Sequence, residues 1–66
     1  MLHITPWERG MLEQLAHGVA TKDIARRYDM DEPDIESCLG RLFARMGVTT
    51  STEAVAAAAR RGLVAP

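Results

Sequence analysis

Residues 21–47, TKDIARRYDMDEPDIESCLGRLFARMG, decide the fold. They read as two helices joined by a tight corner. In the first, about 21–28, Ile24, Ala25 and Tyr28 fall on one side and Lys22, Arg26 and Arg27 on the other. Asp29 stands where a turn residue is needed, and Asp tolerates the left-handed conformation better than most residues. The second helix, about 32–46, takes Asp31 as its N-cap and carries Pro33 in its first turn. Ile35, Leu39, Leu42, Phe43 and Met46 line up at 100° per residue, with Cys38 at the edge of the stripe. The opposite face is centred on Pro33, Ser37, Gly40 and Ala44. Asp34, Arg41 and Arg45 flank it on one side and Glu36 on the other. Gly47 closes the helix.

Working outward, Thr5 and Glu8 have capping-box spacing and Pro6 sits at the first helical position, so a helix is expected over 6–17. Trp7, Met11, Leu12, Leu15 and Ala16 share its broad apolar face, and Gly18 ends it. Gly10 inside it costs about 1 kcal/mol relative to Ala. After Gly47, Thr50 and Glu53 repeat the capping box and open a helix over 51–61. Ala54, Val55 and Ala58 are expected to face inward, with Ala56, Ala57 and Ala59 outside or at the edge. Arg60 and Arg61 in the last turn suit the helix dipole. No strand pattern interrupts the four, so the expected fold is all-α, one small four-helix bundle containing a helix-turn-helix over residues 1–66.

Size and charge narrow the function. Sixty-six residues support one small core. The single cysteine, Cys38, excludes an internal disulfide, so a reducing, cytoplasmic setting is expected. Neither a membrane span nor a signal peptide is visible. A net charge of -1 argues against a polycation that coats nucleic acid. The charge is nevertheless polarised. Asp29, Asp31, Glu32, Asp34 and Glu36 sit within ten residues that hold no Lys or Arg, while all eight bases lie elsewhere. His3 and His17 have no ligand spacing with Cys38, so no metal is expected. No nucleophile–base pair and no Gly-rich phosphate loop is evident, so neither catalytic residues nor a cofactor is expected.

The blocks ITPWERGMLEQLAHGVATKDIARRYDM, DEPDIESCLGRLFARMGV and TEAVAAAARRGLV together resemble the LuxR/GerE-type helix-turn-helix domain over about residues 4–64. Ile4-Thr5-Pro6, Glu8, Leu12, Ala16 and Gly18 look like its first helix, and Lys22-Asp23-Ile24-Ala25 like its scaffold helix. Leu42, Met46-Gly47-Val48 and Glu53-Ala54-Val55 with Ala58, Gly62 and Leu63 are similar to its closing pattern. The resemblance implies a third helix that reads the major groove and a fourth that forms a dimer contact. It also implies a sensing domain upstream; with none in these residues, a free-standing effector domain is expected.

The third helix departs from that family. Where the family carries Thr-Val-Lys-x-His, this chain has Asp34, Ile35, Glu36, Ser37 and Cys38. Glu36 thus replaces a DNA-contacting Lys. Lys22 matches a family Lys and Arg45 a position that is usually basic. Two readings follow. The first is a transcriptional regulator that binds double-stranded DNA through Lys22, Ser37, Arg41 and Arg45. It would work as a homodimer through Ala56, Ala57, Ala59 and Arg60 of the fourth helix. The second is a protein-interaction module. In it Asp31, Glu32, Asp34 and Glu36 around the smooth Gly40 face dock a basic surface, such as another regulator or RNA polymerase. The first three of these acids also have a plain reading as cap and dipole partners, each dipole contact contributing roughly 0.3–1 kcal/mol. Glu36 lies beyond the first turn and has none.

Overall fold

The computed structural model describes residues 3–64. Among them are four helices and no strand: α1 (Pro6–Ala16), α2 (Thr21–Arg27), α3 (Glu32–Met46) and α4 (Ser51–Arg60). Each end follows from local chemistry. At α1 the capping box forms, with the Glu8 N–H donating to Thr5 Oγ1 and the Thr5 N–H to Glu8 Oε1, both at 3.1 Å. At α4 the box is displaced by one residue. Glu53 N–H donates to Thr50 Oγ1, but the Glu53 carboxylate accepts from the Thr49 N–H at 3.2 Å and the Thr49 hydroxyl at 2.8 Å. At α3 the expectation fails in detail. Asp31 is the N-cap residue, yet its side chain makes no capping hydrogen bond. Only its carbonyl serves the helix, accepting from the Asp34 and Ile35 N–H groups.

The four C-termini share one device. The residue after each stop donates five back, Val19 to Gln14, Met30 to Ala25, Val48 to Phe43 and Leu63 to Ala58, at 2.8–3.0 Å. The closing residue takes positive φ. Glycine does so at three helices, and Asp29, at φ 55, does so in the corner between α2 and α3.

Helix α3 is the axis of the core. Its first half packs with α2 and α1 around Met11, Ile24, Ala25, Ile35 and Leu39. Its second half packs with α1 and α4 around Leu12, Leu42, Met46, Ala54, Ala57, Ala58 and Val64. Half-buried Phe43 touches both clusters. The α4 register corrects two expectations. Ala57 is 5% exposed and belongs to the core, while Val55 is only half-buried. Three alanines turned inward leave room for α1 to come close, and a larger residue at 57 would push α1 and α4 apart. Trp7 is corrected too. It leaves the apolar face of α1 and stands 41% exposed.

Candidate nucleic-acid interface

The Asp29 corner holds α2 against α3 and leaves the outer face of α3 uncovered. Pro33, Asp34, Glu36, Ser37, Gly40, Arg41, Ala44 and Arg45 are all exposed. None of Asp29, Asp31, Glu32, Asp34 and Glu36 forms an ion pair among the described residues. The acids therefore face solvent without a close ion pair and place a negative potential at the start of the helix that would meet phosphates.

The expected DNA contacts divide into two groups. Lys22, at the start of α2, lines a shallow pocket with Arg26, Asp29, Asp31 and Glu32. Arg41 and Arg45 line a separate groove at the other half of α3, with Trp7, Glu8, Cys38 and Ala44. Ser37 is exposed between them on the same helix. Lys22 and Arg41 carry no ion pair among the described residues, so both charges are available. Arg45 differs. It pairs with Glu8, whose side chain is only 13% exposed, and it donates to the His3 carbonyl at 3.4 Å. One carboxylate thus serves two tasks: Oε1 of Glu8 caps α1 and Oε2 holds the end of α3. The sequence offered Arg45 as a DNA contact and gave no sign of this pair, because the partner lies 37 positions away.

The sequence placed Trp7 only on the apolar face of the first helix. It packs edge-on against Tyr28, with centroids 5.3 Å apart and planes at 66°. The Tyr28 hydroxyl reaches over Gly10, where a Cβ would lie 2.6 Å from it. Gly10, an oddity in the helix by propensity, is the space this aromatic pair needs. The groove beside Trp7 encloses about 550 Å³ and is walled by Trp7, Cys38 and Ala44. Among the described residues, no three His, Cys, Asp or Glu side chains gather in a way that would hold a metal ion. No described helix is long and apolar enough to cross a membrane.

Of the α4 residues expected at a dimer contact, Ala56 and Arg60 are exposed and Ala59 is half-buried against the core. Ala57 is inside and has no surface to offer.

The profile described as "Bacterial regulatory proteins, luxR family" (GerE) matches residues 3–58. The chain belongs to the luxR family. The match runs through all of α1, α2 and α3 and most of α4, so the corner at Asp29 is the turn of its helix-turn-helix. This luxR-family domain is the helix-turn-helix DNA-binding domain of transcriptional regulators, which is not an enzyme class. It is 32% identical over 59 residues, 89% of its length, to proteins of Mycobacterium bovis and Mycobacterium tuberculosis named as HTH-type transcriptional regulators. It is 32% identical over 62 residues, 94% of its length, to the response regulator Rre1 of Synechocystis sp.. The chain spans 7% of the mycobacterial relatives and 27% of the cyanobacterial one. No solved structure matches it.

Proposed function

We propose that this domain regulates transcription by laying α3 in the major groove of double-stranded DNA, with Lys22, Ser37 and Arg41 as its contacts. The observation that carries the reading is the uncovered outer face of α3, with the cation of Arg41 on it free of any ion pair among the described residues. Lys22 and Arg41 supply phosphate contacts, and Ser37 is small enough to approach a base edge. Arg45 acts through its pair with Glu8, positioning the end of α3. Glu36 lowers non-specific affinity at the family's Lys position and can accept from cytosine N4. A homodimer formed through Ala56, Ala59 and Arg60 would place two such helices on one site, in the manner of helix-turn-helix dimers.

The second reading is a protein-interaction module, favoured by the acidic face itself. Asp31, Glu32, Asp34 and Glu36 are exposed and unpaired among the described residues, beside the smooth surface at Gly40. That face complements a basic protein surface.

Fluorescence anisotropy with a mixed-sequence duplex pool, at low and then higher salt, separates the two. Binding that weakens steeply with salt supports phosphate contact. Absence of binding at low salt and high protein concentration favours the interaction module.

A further inference from the structure

The groove between α1 and α3 is not filled by any of the described residues. Its wall includes Trp7, the one large hydrophobic residue among the described residues that is exposed. Its rim carries Arg41, free of ion pairs among the described residues. Glu8 and Arg45 in its lining pair with each other, so an occupant that brings apolar bulk and an anion together would complement Trp7 and Arg41. That combination is present in this chain, as Pro33-Asp34 in the exposed first turn of α3.

We propose that the groove is the seat of a second copy: two chains pair through antiparallel α3 helices, each placing Pro33 beside the other's Trp7 and Asp34 against the other's Arg41. The register follows from the helix itself. With a two-fold axis between Cys38 and Leu39, Ser37 of one copy lies opposite Gly40 of the other and Pro33 lies opposite Ala44. The centre of the face is thus small and lets the two backbones approach closely. At 100° per residue, Asp34 and Arg41 lie on the same flank of that centre, the flank where the groove residues Cys38 and Arg45 also lie. In an antiparallel pair, equal flanks meet. Asp34 of each copy then lies on the same flank as Arg41 of the other and two positions, about 3 Å, along the axis from it, within reach of the long arginine side chain, twice per dimer, as an isologous interface requires. A parallel two-fold pair would bring unequal flanks together and set Asp34 beside the other copy's Glu36.

The distribution of charge selects the second copy over other occupants. Acid in the first half of α3 and base in the second is complementary to its own reverse. The interface is small, so the pair is weak and forms at high local concentration. It also covers the reading face of α3. Pairing and DNA contact are then mutually exclusive, so the acids keep the domain silent as well as repelling phosphate.

The test is self-association of the whole chain without DNA, by sedimentation equilibrium from micromolar to millimolar concentration, with Trp7 emission read in parallel. Because DNA is absent, failure here leaves the contact of α3 with DNA untouched, and association through the exposed Ala56 and Arg60 of α4 is told apart because it would not respond to charge reversal on α3. Wild type is expected to form a salt-sensitive dimer, with Trp7 emission shifting to the blue as concentration rises. D34R and R41D each place like charges opposite one another, and each is expected to weaken the dimer at least about tenfold. Mixed in equal amounts, they are expected to associate again, since the D34R chain then offers cations to the anions of the R41D chain at both contacts. Recovery also shows that both variants are folded, and helical circular dichroism of each checks this independently. A wild type that stays monomeric overturns the proposal. So does a dimer that D34R leaves unchanged, which would place the contact elsewhere, and so does a folded mixture that fails to recover.

Discussion

Glu36 and Gly10 both look wrong by local rules, and they are wrong for different reasons. Glu36 is exposed on the face of α3, past the first turn, where neither capping nor the helix dipole explains it. Its effect is on what approaches. Under the DNA reading, Glu36→Lys is expected to strengthen duplex binding and to steepen its salt dependence by about one phosphate contact. Unchanged affinity would mean that α3 does not enter the groove in the family's orientation. Gly10 answers to packing. In an exposed helix, Gly→Ala gains about 1 kcal/mol. Here the added methyl would meet the Tyr28 hydroxyl at 2.6 Å, and the ring is held against Trp7. Gly10→Ala is therefore expected to give no gain in the wild-type background, and to shift Trp7 emission as the ring tilts. With Tyr28→Phe the hydroxyl is gone, and the same substitution should stabilise by about 1 kcal/mol. Thermal melting of the four chains checks this, and an equal gain in both backgrounds would discount the contact.

At the scale of elements, the helix ends decide the boundaries. The α4 start couples to pH. Hydrogen bonds from the Thr49 hydroxyl and backbone, then from Thr50, hold the Glu53 carboxyl below its usual 4.5. A lowered folded pKa means that the ionised cap contributes stability above the unfolded value, and that this is lost as pH falls through the folded value. Glu53→Gln should therefore lower the melting temperature at neutral pH, and the gap to wild type should narrow as pH falls below 4.5 and close once pH has passed the lowered folded value. A gap that persists in acid would mean that the cap's value lies in the hydrogen bonds alone. Helix α3 shows the limit of such reading. Asp31 has the identity and position of an N-cap but no capping hydrogen bond from its side chain, because a side-chain rotamer is not set by sequence spacing. Helix α4 shows another limit. In a run of alanines every residue is equally apolar, so the stripe carries no phase. The choice of Ala57 for the core was made by where α1 and Leu42 lie.

At the scale of the molecule, the question is which charges the fold uses internally. Arg45 and Glu8 join the start of α1 to the end of α3, and Arg9 donates to the Leu63 carbonyl at 2.8 Å, joining α1 to the segment after α4. Arg45→Ala is expected to cost stability, about 1 kcal/mol or less because the arginine is 44% exposed, with little direct loss of duplex affinity. Arg41→Ala should do the reverse, flattening the salt dependence of DNA binding while leaving melting unchanged. Parallel melting and anisotropy on both variants distinguish a positioning cation from a contacting one. A reversed pattern would reassign the two arginines. By itself the sequence determined the four helices, their stops, the Asp29 corner and the acidic run on the outer face of α3. These depend on periodicity and on contacts within a turn, which neighbours along the chain define. Only the tertiary structure decided that Arg45 is held by Glu8, that Ala57 is buried, and that Trp7 is released to wall a groove with Arg41. Each of these depends on a partner dozens of positions away, and which partner arrives is set by how α1 lies across α3 and α4.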